Sequence, residues 1–116
     1  MSAVDGYYLS RGYTPTWKTV AISAVGTTTV WTPRTSTKIV LTRISVGVNL
    51  AGSVAFYFGN LAGQKIEQLN MAASSYISVP LLADSDSFDR VLFANASATG
   101  TDGVKITVAG FEIPQA

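Results

Sequence analysis

The residue types that most often carry catalysis and bind metals are missing from this sequence. Its 116 residues contain no histidine and no cysteine. Histidine is the commonest general base and metal ligand in proteins, and the Ser–His and Cys–His nucleophilic pairs both require it. Zinc sites of the usual kind are built from cysteine and histidine. We therefore expect a protein that is not an enzyme and that uses no metal and no cofactor.

The two glutamates, Glu67 and Glu112, are the carboxylates that could act as acid and base in a glycosidase. Both lie in strand-like segments of alternating polarity, where a charged side chain usually occupies the solvent side. We therefore favour structural, outward-facing roles for both residues over an acid–base pair.

The densest acidic stretch, Asp84 to Asp89, offers oxygen ligands of the type that calcium prefers. It lacks the central glycine and the distal glutamate of a calcium-binding loop. Aspartate and serine are also ordinary turn residues, because their side chains bond to their own backbone. We therefore favour a turn here over a metal site.

The two tryptophans, Trp17 and Trp31, are the candidate contact residues for a partner or for a sugar. A tryptophan on a β-sandwich can anchor a partner, although it more often belongs to the core. Trp31 precedes Thr32 and Pro33 at the end of a strand-like segment, which predicts packing at the rim of the fold. For Trp17 the sequence favours neither position.

The charge pattern argues against nucleic-acid and membrane partners. Eight basic and seven acidic residues give a net charge of +1, and the basic residues form no cluster. A nucleic-acid backbone is bound by a stripe of Lys and Arg, which this sequence lacks.

The start lacks the basic and apolar regions of a secretion signal, and no apolar run reaches membrane-spanning length. We expect a protein made in the cytoplasm.

The composition instead predicts contacts with other protein chains. Charged residues make up 13% of the sequence and hydrophobic residues 47%, whereas about 25% charged is typical of a soluble domain. A small domain has a large surface for its volume, so this shortage of charge indicates that other chains cover part of it.

Two-residue alternation typical of half-buried strands recurs along the chain. The clearest strand runs from Lys38 to Leu50, with an apolar face formed by Val40, Ile44, Val46, Val48 and Leu50. A second runs from Ser53 to Asn60 with Val54, Phe56 and Phe58 inward, and Ala51-Gly52 is predicted to be a hairpin turn between the two.

The last predicted strand places Val104, Ile106 and Val108 on one face. The alternation then changes phase, because Phe111 and Ile113 occupy odd positions. We predict a bulge at Ala109-Gly110 that keeps all five apolar side chains facing the core.

Weaker strand candidates complete the pattern: residues 17–23, 27–32, 64–68, 74–80 and 88–96. About eight short strands at a spacing of roughly 8 to 12 residues predict an all-β fold, an antiparallel, jelly-roll-like β-sandwich, with a barrel as the alternative.

The first sixteen residues depart from the strand pattern. Tyr7, Tyr8, Leu9 and Tyr13 lie among glycines, a serine and a proline, which predicts an extended N-terminal arm over 1–16 beside a sandwich domain over 17–116. Chain ends that stay undocked are usually polar, so an aromatic-rich arm is expected to dock. The docking surface is either its own domain or a neighbouring chain, and the sequence does not decide between them.

Part of the chain resembles the small β-sandwich virion proteins found among the structural genes of tailed bacteriophages, of the capsid decoration and head-fibre type. The resemblance lies in T-T-T-V-W-T-P at residues 27–33, in Lys38, and in the strand L-T-R-I-S-V at residues 41–46. The closing V-A-G-F-E-I at residues 108–113 is similar to the last strand of those proteins. These motifs mark strands and a turn, and they cover about residues 17–113.

The resemblance implies a virion structural protein, namely a capsid decoration protein added to an assembled head. Its partners would be the major capsid protein and its own copies in a homotrimer, on the capsid surface of a virion assembled in the host cytoplasm. In several decoration proteins an N-terminal arm docks on the capsid, which would make Tyr7, Tyr8, Leu9 and Tyr13 the contact residues.

The alternative function is a carbohydrate-binding or host-attachment module on a head or tail fibre. Trp17, Trp31 or exposed tyrosines would then contact the sugar.

Overall fold

The computed structural model describes residues 11–59, 64–85, 88–99 and 103–114. Its strands are β1 (Thr16–Ile22), β2 (Gly26–Trp31), β3 (Thr37–Val48), β4 (Gly52–Phe58), β5 (Gln64–Met71), β6 (Ser75–Asp84), β7 (Leu92–Ala96) and β8 (Val104–Pro114). No helix that could cross a membrane occurs in these ranges.

The strands form two four-stranded sheets. The first sheet has the order β1-β8-β3-β6 and the second the order β2-β7-β4-β5, and every pair is antiparallel. This alternation of strands between two packed sheets is the jelly-roll arrangement. The predicted all-β sandwich of about eight strands is confirmed, and the barrel alternative is not.

The predicted hairpin at Ala51-Gly52 is wrong. β3 belongs to the first sheet, where β6 and β8 occupy both of its edges, whereas β4 lies in the second sheet between β5 and β7. The chain therefore crosses from one sheet to the other after β3. Leu50, predicted to face the core, lies in this crossing and is 48% exposed.

The core lies between the two inner sides of the sheets. β4 supplies Val54, Phe56 and Phe58, and β8 supplies Val104, Ile106 and Val108, as the alternation in the sequence predicts; none of these is more than 1% exposed. Each large apolar side chain buried in this way contributes about 1.5–3 kcal/mol of transfer free energy.

The bulge near the end of β8 is real, but its extra residue lies in β3. Leu41 pairs with Gly110 and Arg43 pairs with Ala109, so Thr42 has no partner position on β8. The hydroxyl of buried Thr42 donates to the carbonyl oxygen of Ala109 at 3.3 Å. The unpaired residue thus keeps its polar group bonded.

This shift corrects the predicted faces of two strands. Ile39 and Leu41 join the core between the sheets, while Val40 turns to the outer side of the first sheet. Because β8 has no extra residue, its alternation continues, and Phe111 lies opposite Val40 on that outer side. Both residues are nevertheless buried, with at most 1% exposed.

At Gly110 the backbone of β3 lies too close to β8 to leave room for a side chain. A Cβ atom at this position would overlap the carbonyl oxygen of Val40 and lie 3.1 Å from the Leu41 Cα atom. Only glycine therefore fits the backbone beside the bulge without a shift of β3.

We predict that Gly110→Ala lowers the free energy of unfolding by about 1–3 kcal/mol, because the new methyl group displaces the β3 backbone. Urea denaturation measures the change. Gly47→Ala is the matched control, since its Cβ atom would lie 3.5 Å from Tyr76 Cδ2, an ordinary contact; we expect it to stay within about 0.5 kcal/mol of the parent. Equal midpoints for the two variants would contradict the register between β3 and β8.

Candidate functional site

Exposed apolar side chains concentrate on the outer side of the first sheet. Five large hydrophobic residues are exposed in the described chain, and three of them lie there: Trp17 on β1 at 63%, and Tyr76 and Leu82 on β6 at 69% and 63%. The other two, Val25 and Leu50, lie outside the strands. We call the surface that carries Trp17, Tyr76 and Leu82 the contact face.

The strand register fixes the layout of the contact face. Trp17 pairs with Ala109, Ala109 with Arg43, and Arg43 with Pro80, so Trp17 and Pro80 end one row across the sheet. Tyr76 lies on β6, the edge strand opposite Trp17, four residues from Pro80. Strand spacing and rise place Trp17 and Tyr76 about 20 Å apart. The exposed apolar residues of the contact face therefore lie on both edge strands of the sheet, β1 and β6.

Tyr76 lies above a glycine. A Cβ atom on Gly47, its partner on β3, would be 3.5 Å from Tyr76 Cδ2, an ordinary contact distance, so the ring lies directly over this position. An open depression of about 360 Å³ adjoins the ring and is lined by Gly47, Val48, Asn49, Ser74, Ser75, Tyr76, Gly103 and Lys105.

Polar groups occupy the middle of the contact face. The Arg43 guanidinium donates to Ser78 Oγ at 2.9 Å, and the Ser45 and Ser78 hydroxyls are bonded at 2.9 Å. At the Pro114 end, Lys38 Nζ lies 3.3 Å from Asp84 Oδ2. The face thus has exposed apolar side chains on its two edge strands and hydrogen-bonding groups between them.

The edge strands discourage pairing with another chain. Pro80 removes a backbone donor from β6, and half-buried Lys18 sits on the inner side of β1. Both edge strands of the second sheet have a register shift. In β2 it lies between Thr29 and Trp31. In β5 it lies opposite Phe56 and Tyr57 of β4. Bulges, prolines and inward charges are the usual protection of sheet edges. A partner is therefore expected on a face.

Trp31 belongs to the core, and its interpretation as a contact residue at the rim is wrong. Its side chain is 1% exposed, and its indole Nε1 donates to Glu112 Oε2 at 3.4 Å. Trp31 pairs with Leu92 on the inner side of the second sheet. A buried indole has no face for a sugar or a partner, so the exposed tryptophan is Trp17.

Glu112 closes this end of the sandwich. Its Oε1 accepts from the Arg34 Nε at 3.1 Å and its Oε2 accepts from the Arg34 backbone N–H at 2.8 Å. The Glu112 side chain is 12% exposed, whereas Arg34 is 74% exposed. Both carboxylate oxygens are therefore engaged in holding the loop after β2 against β8.

The two glutamates lie in different sheets, Glu112 on β8 and Glu67 on β5. Glu67 Oε1 accepts from the backbone N–H of Gln68 at 3.0 Å. In the acidic stretch, Asp89 Oδ1 accepts from the Ser36 backbone N–H at 2.7 Å, and Asp84 pairs with Lys38. No group of three or more acidic residues that could hold a metal forms within the described ranges.

Of the predicted arm residues, Tyr7, Tyr8 and Leu9 lie outside the described residues. Tyr13 is half-buried and lines a polar depression of about 380 Å³ with Gly12, Thr14, Thr16, Arg34 and Glu112. The predicted contact residues are not brought together: Tyr13 lies beside Glu112, Trp17 lies on the contact face, and Trp31 is in the core.

Tyr76 and Leu82 were not predicted to be contact residues, although the alternation of residues in β6 indicates that both face outward. Along residues 75–84 the half-buried positions are odd and the exposed ones even, so Ile77 and Val79 face inward while Tyr76 and Leu82 face outward. A large apolar residue in the exposed phase of an alternating strand is the signal of a contact surface.

No protein-family model and no curated protein sequence matches the chain. Among solved structures, a protein of the Bacillus endospore appendages, described as disulfide-linked pili, is 13% identical, with a TM-score of 0.51 over 90% of this chain and 91% of that chain. The Tobacco streak virus coat protein is 12% identical, with a TM-score of 0.47 over 88% of each chain. A carbohydrate-binding module of Cellvibrio mixtus lichenase 5A is 12% identical, with a TM-score of 0.43 over 90% and 88%. At these identities the similarity is one of fold alone.

The two tryptophans give a direct test of these placements. We predict that Trp31→Ala lowers the free energy of unfolding by about 3–5 kcal/mol, because it empties part of the core. Trp17→Ala should change it by no more than about 0.5 kcal/mol, because the ring is largely in solvent. Urea denaturation followed by circular dichroism measures both. A loss of similar size in the two variants would contradict the exposure of Trp17.

Proposed function

We propose that this chain is a virion structural protein that binds an assembled capsid as a decoration subunit, stabilising the head through subunit contacts. The observation that carries the proposal is the contact face, where Trp17, Tyr76 and Leu82 expose apolar surface on one side of a jelly-roll sandwich. Exposed aromatic side chains are enriched at protein interfaces. The motif resemblance at residues 27–46 and 108–113 supports a virion role.

The chemistry of the contact face suits a protein partner. Tryptophan, tyrosine and arginine are the residues that most often dominate the free energy of binding at interfaces, and Trp17, Tyr76 and Arg43 lie on one side of the first sheet. Ser78 and Ser45 supply hydrogen-bonding hydroxyls between them. The major capsid protein is the proposed partner.

A homotrimer on the outer surface of the head completes the proposal. A trimer presents three copies of one contact face to a shell that repeats its own subunits. Three simultaneous contacts raise the effective concentration of each, so modest single contacts hold the subunit for long times. Assembly in the host cytoplasm and location on the capsid surface belong to the same proposal.

The N-terminal arm, residues 1–16, is proposed to add a second contact with the capsid. Tyr7, Tyr8, Leu9 and Tyr13 are its apolar residues. Tyr13 lies beside Arg34 and Glu112, where their ion pair ties the loop after β2 to β8. In this proposal the arm leaves the domain from that end.

A carbohydrate-binding or host-attachment function is the second candidate, and the exposed indole of Trp17 favours it. An aromatic ring that is 63% exposed can stack on the apolar face of a sugar ring. Loss of binding to a glycan array in Trp17→Ala would support this function, whereas an array without binding would remove it.

We predict that Trp17→Ala, Tyr76→Ala and Leu82→Ala each weaken capsid binding by about tenfold or more, because each removes a large apolar contact. Co-sedimentation of the purified chain with assembled capsids of the phage that encodes it measures the affinity. Val25→Ala is the matched control, since Val25 is 65% exposed but lies away from the contact face. Unchanged binding in all three face variants would contradict the proposal.

A further inference from the structure

The outer side of the second sheet has a different chemistry from the contact face. Its centre is a cross-strand aromatic pair, Tyr57 on β4 and Phe93 on β7, and both rings are half-buried. Side-chain amides of Asn95, Gln68 and Asn70 lie in the neighbouring rows, with Thr27 at the β2 edge. We call this surface the amide face.

One hydrogen bond between strands and one along a strand hold these amides in place. Asn95 Nδ2 donates to Thr27 Oγ1 at 3.1 Å on one side of the face. On the other side, Gln68 Nε2 donates to Asn70 Oδ1 at 3.3 Å. Each amide is thus oriented before any ligand arrives, which lowers the entropic cost of binding.

These bonds leave donors and acceptors available to a ligand. An amide offers two N–H donors and two lone pairs on its oxygen. Within the described chain, the Asn95 oxygen, the Asn70 N–H₂ group and the Tyr57 hydroxyl take part in no hydrogen bond. All three groups lie on side chains that are exposed or half-buried. The face therefore presents donors and acceptors together around an aromatic pair.

Charge on this face is low. Among its described, paired positions the one charged side chain is Lys65 on edge strand β5, whose ammonium group donates to Gln68 Oε1 at 2.7 Å. A second cation, exposed Arg90, lies beside Gly59 directly after β4. A phosphate, an acidic peptide or an anionic membrane would require several cations. The fitting ligand is neutral, with many hydroxyl groups and apolar C–H faces.

We propose that the amide face binds a neutral hexose oligosaccharide. Sugar hydroxyls are donors and acceptors at once, which matches the free amide groups of Asn95 and Asn70. The apolar face of a pyranose ring packs against Tyr57 and Phe93. This site is separate from the contact face, because the two lie on opposite outer sides of the sandwich.

The test is a titration of the ¹⁵N-labelled full chain with maltohexaose, cellohexaose and mannohexaose, followed by NMR. We expect at least one of the three to shift the resonances of Tyr57, Gln68, Asn70, Phe93 and Asn95. Asn95→Ala and Tyr57→Ala should each weaken that binding by about tenfold. Tyr57→Phe keeps the ring and separates loss of the hydroxyl from loss of packing.

Thr19→Ala, at an exposed position on the outer side of the first sheet, is the control for the other side of the sandwich and should leave the affinity unchanged. Shifts confined to Trp17 and Tyr76, or no shift with any of the three sugars, would overturn the proposal. Capsid binding is measured separately with variants of the contact face, so the failure of one proposal is distinguishable from the failure of the other.

Discussion

The close pairing of β3 with β8 is the constraint on which the rest of the first sheet depends. These two strands occupy the middle of the sheet, and at Gly110 their backbones approach so closely that no side chain fits. Thr42 is the extra residue on the β3 side of this approach. Its bulge reverses the phase of the strand, so Leu41 and Ile44 both face the core although they are three positions apart in the sequence.

The two outer sides that result have different chemistry. The outer side of the first sheet carries exposed Trp17, Tyr76 and Leu82 on its edge strands, with Arg43 bonded to Ser78 between them. The outer side of the second sheet carries amides and a half-buried aromatic pair. Each of the four edge strands contains a proline, an inward-facing lysine or a bulge, and these features discourage pairing with a strand of another chain. A partner is therefore expected to bind a face of the sandwich and not an edge. The two proposals therefore place the capsid and the oligosaccharide on opposite sides of the sandwich.

Much of the fold was predictable from alternation alone. Val54, Phe56 and Phe58 and the run Val104, Ile106 and Val108 face the core as their spacing indicates. The faces of Val40 and Phe111 were not predictable, because a single unpaired residue reverses the phase and alternation alone does not say which strand contains it. The crossing after β3 was also not predictable. Residues 49–52 indicate a turn, but they do not indicate the sheet to which the next strand belongs.

The candidate site was less predictable than the fold. Trp31 is buried in the core, and its indole N–H donates to Glu112, which lies 81 positions away. Nothing in the residues next to Trp31 indicates that contact. Trp17 had no preferred position, since an edge strand can turn an aromatic residue to either side. Tyr76 and Leu82, in contrast, were readable from strict alternation in β6.

Electron cryomicroscopy of the intact virion would show which side of the sandwich contacts the shell. We predict eight-stranded jelly rolls at repeated positions on the head, with the first sheet turned toward the shell and Trp17, Tyr76 and Leu82 in the interface. Jelly rolls bound with that sheet facing solvent, or heads that lack the chain, would contradict it.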